Sequence, residues 1–153
     1  MFISASLARA GGNSGILAKS HNQMISSSTA PGTCPQPRKT RSAPSQYSRM
    51  ALPAGASAET GRELFQKSAK PMACKMCHGA KGQGNGQLAK SFKPRPRNFT
   101  CSPTMKDVSP GQMFWIIKNG SKGTQMIAHK KTLSDKQIWD LVKYILTEFA
   151  HKK

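Results

Sequence analysis

The clearest hydrophobic pattern of the chain lies near its C-terminal end. Apolar residues recur there on one helix face, at Ile138, Leu141, Val142, Ile145 and Phe149. Ser134 precedes them as a predicted N-cap, and Gln137 three positions later completes a capping box. The pattern predicts an amphipathic helix that begins after Ser134 and packs its apolar face on a core.

Two further segments carry helix signals. Ser109 is a predicted N-cap, Pro110 occupies the first helical position, and Gly120 is the predicted stop. A shorter helix is predicted over Glu59–Ser68, with Thr60 as its N-cap. The predicted elements are therefore helices separated by loops.

Residues 1–58 show neither a helical nor a strand period. They are rich in Ser, Ala, Gly and Pro and contain no acidic residue, so we expect little fixed structure. We predict a targeting or disordered N-terminal segment at 1–58 that processing can remove, and a single domain at 59–153. A transit peptide, an upstream extension from a misplaced start codon and a disordered arm stay open as readings. Ala56-Ser57-Ala58 has the A-x-A form of a cleavage site, which places the expected cut after Ala58.

The strongest chemical signal is the segment Cys74-Lys75-Met76-Cys77-His78. This C-x-x-C-H arrangement attaches a c-type haem, because each thiol forms a thioether and the next imidazole is placed under the iron. A thioredoxin-like motif would need a preceding strand, and a zinc site would need a second Cys/His pair; an inert surface sequence is the third alternative. We predict one haem c, bound covalently through Cys74 and Cys77, with His78 as an iron ligand.

The opposite face of the iron needs a second ligand. Met126 follows a glycine-bearing turn between two predicted helices, and a thioether there favours electron transfer. Met126 is therefore the predicted second metal ligand. A core role for this methionine and ligation by His129 stay open as alternatives.

Other residues are predicted around the haem. A carbonyl of the proline-rich stretch 93–97 is expected to accept the Nδ1–H of His78 and fix its tautomer. Arg97 and Asn98 are expected to hydrogen-bond the haem propionates, and Trp115 is expected to face the core or the haem.

Cys101 lies outside the haem motif, and Cys34 is the only other cysteine free to pair with it in an oxidising compartment. Removal of residues 1–58 would leave Cys101 single, and it is predicted to be a buried small hydrophobe. A reactive or dimer-forming thiol stays open as the alternative.

The net charge of the chain indicates which class of partner it binds. The formal net charge is +18, from 24 Lys+Arg against 6 Asp+Glu, which steers the protein towards acidic surfaces. We expect no nucleic-acid partner, because neither a basic reading helix nor an RNA-binding aromatic motif is found. No stable membrane insertion is expected either, since no apolar run reaches the length of a spanning helix.

These motifs occur in an order that resembles a known family. Residues 59–153, with the C-x-x-C-H segment and the loop Gly123-Thr124-Gln125-Met126, are similar to class I c-type cytochromes of the small single-haem bacterial type. The resemblance implies an all-α cytochrome c fold, with three to four short helices wrapped around the haem. It also implies that Gly61 and Phe65 cross the C-terminal helix near Leu141 and Tyr144. The family often has proline after the ligand methionine, where this chain has Ile127.

The resemblance also implies a function. It indicates an electron carrier without catalytic residues, not an enzyme, that meets acidic redox partner proteins such as an oxidase, a reductase or another cytochrome. A monomer outside the cytoplasm is expected, in the bacterial periplasm or in an organelle reached by a transit peptide. Two alternatives stay open: a haem sensor or peroxidatic haem protein with an exchangeable sixth site, and a docked subunit of a larger redox complex.

Overall fold

The computed structural model describes Cys34, Gln36 and residues 40–150. Within that part of the chain the fold is built from helices and has no β-strand. The α-helices are α1 (Ser45–Ser48), α2 (Ala58–Glu63), α3 (Lys75–His78), α4 (Ser102–Met105), α5 (Pro110–Asn119) and α6 (Asp135–Ile145). π-Helical turns continue α2 over Leu64–Ser68 and α6 over Leu146–Ala150, and a 3-10 helix spans Gln87–Ser91. Among the described helices, none combines the length and the hydropathy needed to cross a membrane.

Helices α2 and α6 cross at a glycine. Gly61 lies so close to α6 that a Cβ there would stand 2.6 Å from the carbonyl carbon of Asp140 and 2.8 Å from the Cβ of Tyr144. One turn further, the ring of Phe65 packs with its centroid 5.5 Å from that of Tyr144. Leu141 is buried in the same core. The predicted crossing of the first helix with the last is confirmed.

Two of the predicted helix starts are also confirmed. The Ser134 hydroxyl accepts from the backbone N–H of Gln137, and the Gln137 side chain accepts from the backbone N–H of Ser134, so the capping box of α6 is complete. Ser109 caps α5, and Gly120 ends it with a φ of +74°, a conformation that favours glycine.

The predicted cap of α2 is wrong. Ser57, and not Thr60, is the N-cap, because the Ser57 hydroxyl accepts from the backbone N–H of Thr60 at 3.2 Å. The backbone N–H of Ser57 in turn donates to the carboxylate of Asp140 at 2.7 Å. A contact with α6, distant in sequence, thus decides where α2 begins.

The segment before α2 is part of the fold. We call Cys34, Gln36 and residues 40–57 the N-terminal strap. Ala43 is buried, and Tyr47 of α1 stacks on Phe114 of α5 with ring centroids 6.3 Å apart. The expectation of little fixed structure across residues 1–58 is therefore wrong for the strap, whereas residues 1–33 lie outside the described part.

A disulfide joins the strap to the rest of the domain. Cys34 is bonded to Cys101, 67 positions away, and Cys101 is buried. The prediction of Cys101 as a small buried hydrophobe is right about burial and wrong about chemistry. Cys34 and Cys101 are the two cysteines outside the haem motif, and this is the signal in the sequence that points to a disulfide between them.

Candidate haem site

A single helical turn arranges the three residues of the motif that carry chemistry. The carbonyl oxygen of Cys74 accepts from the backbone N–H groups of Cys77 at 3.2 Å and His78 at 2.9 Å. Gly79, with a φ of +79°, lets the chain turn away directly after α3. Cys74, Cys77 and His78 all line one cavity.

His78 is held by two contacts. Its ring stacks on Phe99, with centroids 4.6 Å apart and an interplanar angle of 17°. Its Nδ1 lies 3.1 Å from the carbonyl oxygen of Arg97, which can only accept, so Nδ1 carries the proton. Burial lowers the pKa of His78 to about 4 against the opposing effect of this hydrogen bond, and the ring is neutral at pH 7. The predicted carbonyl partner is confirmed, and Nε2 keeps its lone pair for a metal.

The two motif cysteines are free thiols that do not bond to each other. Burial raises the pKa of the Cys74 thiol to about 12 and also raises the pKa of the Cys77 thiol. Both therefore keep their S–H at neutral pH in the folded chain. An S–H that can add across a vinyl group is what thioether attachment requires.

The cavity has a volume of about 770 Å³, within the size range of cofactor sites. Its lining is mainly apolar, and its thiol, imidazole and thioether side chains are Met72, Cys74, Cys77, His78, Met105, Met113, Met126 and His129. Two thiols, a neutral imidazole and thioether sulfurs in an apolar cavity form the donor set that a covalently bound haem with its iron needs. The residues present fit that group.

Met126 lies in the loop between α5 and α6, and hydrogen bonds within the loop hold its backbone. Its backbone N–H donates to the Thr124 hydroxyl at 3.0 Å, its carbonyl oxygen accepts from the N–H of Ser121 at 3.0 Å, and the Thr124 hydroxyl donates to the Ser121 carbonyl at 2.7 Å. The side chain is half-buried and packs against the core. These bonds hold the backbone of Met126 beside the cavity that its side chain lines.

The rival ligands also line the cavity. His129 is buried, and its Nδ1 lies 3.1 Å from the carbonyl oxygen of Lys70, while burial lowers its pKa. Met105 and Met113 are buried within the hydrophobic core cluster as well as facing the cavity. Lining alone therefore does not single out Met126.

Of the other predicted haem contacts, Arg97 lines the cavity and two do not. The Arg97 guanidinium donates to the Thr40 hydroxyl and, at 3.4 Å, to the Thr104 carbonyl. Asn98 is buried, and its side-chain oxygen accepts from the N–H and hydroxyl of Thr100 at 3.0 and 2.7 Å, closing a turn. Asn98 is not among the residues that line the cavity.

Trp115 also lies away from the cavity. Met113, Ile116 and Ile117 lie on one face of α5 and line the cavity. Trp115 does not share this spacing, so its side chain points away from the cavity. The Arg41 guanidinium covers the Trp115 ring at 5.8 Å from its centroid. The expectation that Trp115 faces the haem is not supported by this placement.

Sequence reasoning missed two parts of the site. Phe99 gave no signal, because a single aromatic residue in a loop has no period. Gln36, Thr40 and Ser42 of the strap also line the cavity, although their segment shows no pattern.

Comparisons with known proteins agree with this site. The family model described as Cytochrome c matches residues 58–148. Among solved structures, a chain of the Kuenenia stuttgartiensis reducing HAO-like protein complex is similar, at 26% identity and a TM-score of 0.52. This similarity covers 60% of the present chain and 43% of the other, so the chain spans less than half of that relative. No curated protein matches the sequence.

The helical fold, the C-x-x-C-H turn against an apolar cavity and the matched region agree with one another. The match covers more than half of the chain and includes the motif, the neutral histidine and the loop of Met126. The chain therefore belongs to the cytochrome c family and has its all-α fold, and membership implies a covalently bound haem c with iron.

Proposed function

We propose that this protein is an electron carrier, which passes single electrons between redox partner proteins through one haem c. The observation that carries the proposal is that one cavity is lined by both thiols of the motif, by His78 and by Met126. In this proposal Cys74 and Cys77 bind the haem, and His78 and Met126 ligate its iron. When bound, the haem supplies a reversible one-electron change between ferric and ferrous iron.

The residues around His78 hold the ligand in one state. The Arg97 carbonyl accepts a hydrogen bond from the Nδ1–H, so Nε2 would be the ligand atom, and the stacked Phe99 ring fixes the plane of the imidazole. A ligand that neither rotates nor changes its protonation needs little reorganisation when the charge of the iron changes. This supports repeated electron transfer.

The rim of the cavity supports brief encounters with partners. Met72 and Ile127 line it and are 42% and 44% exposed, and Leu88 is a third exposed apolar residue of the lining. Lys122 and Lys130 are exposed in the same loop as Ile127. A small apolar rim with surrounding positive charge suits a weak complex with an acidic redox protein.

Salt tests this steering. The rate of electron transfer to an acidic partner protein is expected to fall as ionic strength rises, because screening removes the long-range attraction. A small neutral redox reagent is the control, and its rate is expected to stay constant. An equal rate for the acidic partner at low and high salt would contradict the proposed partner class.

The spectrum of the ferric holoprotein tests the ligands. A sulfur-to-iron charge-transfer band is expected, and Met126→Ala should abolish it. Met113→Ala is the matched control, because it removes a methionine that lines the same cavity and should keep the band. Loss of the band in Met113→Ala alone would move the ligand to Met113. Immediate binding of carbon monoxide by the reduced, ferrous parent protein would indicate an open sixth site and a sensor or peroxidatic haem protein.

A second candidate is an electron-transfer subunit docked in a larger redox complex. The similarity to a chain of an HAO-like complex favours it. The haem chemistry would be the same, but the protein would not diffuse freely. Co-purification of tagged protein with an oxidoreductase through gel filtration at high salt would support the docked subunit, and elution as a monomer would support the free carrier.

We also propose a location outside the cytoplasm, most plainly the bacterial periplasm. The Cys34–Cys101 disulfide supports this, since such bonds persist in oxidising compartments. Alkylation of cells without prior reduction should leave these two cysteines unlabelled. Labelling of both would contradict the proposed compartment.

A further inference from the structure

We propose that the N-terminal strap forms one wall of the haem site and limits access to the iron. This inference rests on the proposed function, because it concerns the same haem. The strap lies outside the region matched by the cytochrome c family model, which begins at residue 58. Gln36, Thr40 and Ser42 nevertheless line the cavity together with Cys74, Cys77 and His78.

The first attachment of the strap is to the segment that supports His78. The Gln36 side chain donates to the Pro96 carbonyl at 2.9 Å and accepts from the N–H of Asn98 at 2.9 Å. Its own backbone N–H donates to the Thr104 hydroxyl at 3.1 Å. Gln36 thus bonds to the residues on both sides of Arg97, whose carbonyl accepts the hydrogen bond from His78 Nδ1–H.

Thr40 makes the second attachment. Its hydroxyl accepts a hydrogen bond from the guanidinium of Arg97, which also lines the cavity. The strap therefore holds the backbone on either side of Arg97 through Gln36 and the Arg97 guanidinium through Thr40. It is positioned to fix this residue beside the haem.

The third attachment is to helix α5. The N–H of Ala43 donates to the Gln112 side-chain oxygen at 2.6 Å, and the Gln112 amide donates back to the Arg41 carbonyl at 3.0 Å. Gly111 permits close approach, because a Cβ there would collide with the backbone of Tyr47. The strap is thus closely packed on α5, the helix that contributes Met113, Ile116 and Ile117 to the cavity lining.

The fourth attachment is covalent. The Cys34–Cys101 disulfide ties the strap to the residue just before α4, and Met105 of α4 lines the cavity. Bonds at both ends and in the middle keep the strap against the cavity. Its removal would expose the haem and the His78 support to water from this side.

To test this proposal, the strap is cut from the folded holoprotein after the haem has been attached. A protease site is inserted at Gly55, an exposed position with open space around it. One variant keeps the disulfide and the other carries Cys34→Ser and Cys101→Ser. Both are cut and passed through gel filtration, and the rate of cyanide binding to the ferric protein is measured before and after cutting.

The cut protein with its disulfide should keep the cyanide rate of the uncut protein, and so should the uncut serine variant. The cut serine variant should lose the strap and bind cyanide faster by about tenfold or more, because local opening no longer limits access. If the fragment stays bound, Tyr47→Ala is added, which removes the stacking on Phe114 and releases it.

The outcomes separate this inference from the proposed function. A strap-free protein with the parent cyanide rate and the parent haem spectrum would overturn the inference and leave the electron carrier untouched. Rapid cyanide binding by the uncut parent would instead count against a filled sixth site. In that case the haem absorption spectrum tests the proposal. A spectral shift after release of the strap would support its role as a wall of the haem site, and an unchanged spectrum would contradict that role.

Discussion

The crossing of α2 and α6 leads to a sharp prediction for Gly61→Ala. The added Cβ would stand 2.6 Å from the carbonyl carbon of Asp140 and 2.8 Å from the Cβ of Tyr144. Carbon atoms pack at about 3.5–4.0 Å, and the Cβ would come closer still to the carbonyl oxygen of Asp140, so the two helices must separate by at least about 1 Å. Neither partner is the end of a flexible side chain, and the clash cannot be relieved by a change of rotamer.

The magnitude follows from two opposing terms. Overpacking of this kind costs about 1–3 kcal/mol, and the separation also loosens the contact of Phe65 with Tyr144. Alanine gains up to about 1 kcal/mol over glycine in a helix. Because the clash is with backbone, we expect the upper end of the cost and a net loss of about 2 kcal/mol in the free energy of unfolding.

Urea unfolding of the ferric holoprotein, followed by circular dichroism, measures this loss. Gly55→Ala is the matched control, since nothing lies within 4 Å of a Cβ there, and it should be neutral or slightly stabilising. The reasoning would be refuted if Gly61→Ala unfolded within about 0.5 kcal/mol of the parent protein.

Two more predictions concern single side chains. Phe99→Leu should change the spread of the haem methyl shifts in the proton NMR spectrum of the ferric protein, because His78 loses the ring that fixes the plane of its imidazole. Unchanged methyl shifts would show that the stacking does not position the ligand. Asp140→Ala should lower the free energy of unfolding by about 2–3 kcal/mol, because the N–H of Ser57 loses its charged acceptor. The control Asp135→Ala removes an exposed carboxylate and should cost less than about 1 kcal/mol in the same urea titration; equal losses would contradict the importance of the buried group.

Local signals in the sequence predicted the local parts of this structure. The capping box of Ser134 and the stop at Gly120 need only neighbouring residues, and the C-x-x-C-H turn is itself a local arrangement. The choice between Ser57 and Thr60 as the cap of α2 was wrong because Asp140, far along the chain, holds Ser57.

The strap could not be predicted because the contacts that attach it to the rest of the domain join residues far apart in the sequence. Gln36 bonds to residues about 60 positions away, and Ala43 to one 69 positions away. No periodicity accompanies such contacts, since the strap is held by individual bonds and not by one apolar face. The cap and stop signals of α5 are local and were visible in the sequence, whereas the direction of Trp115 depends on what the helix packs against.

The Cys34–Cys101 disulfide also has a consequence for biogenesis. A compartment that oxidises this pair must leave Cys74 and Cys77 reduced, because haem attachment consumes two thiols. Thiol–disulfide exchange proceeds through the thiolate, and burial raises the pKa of Cys74 to about 12. The pairing of Cys34 with Cys101 and the placement of Cys74 and Cys77 at the haem cavity therefore divide the four cysteines between two chemistries, disulfide formation and haem attachment.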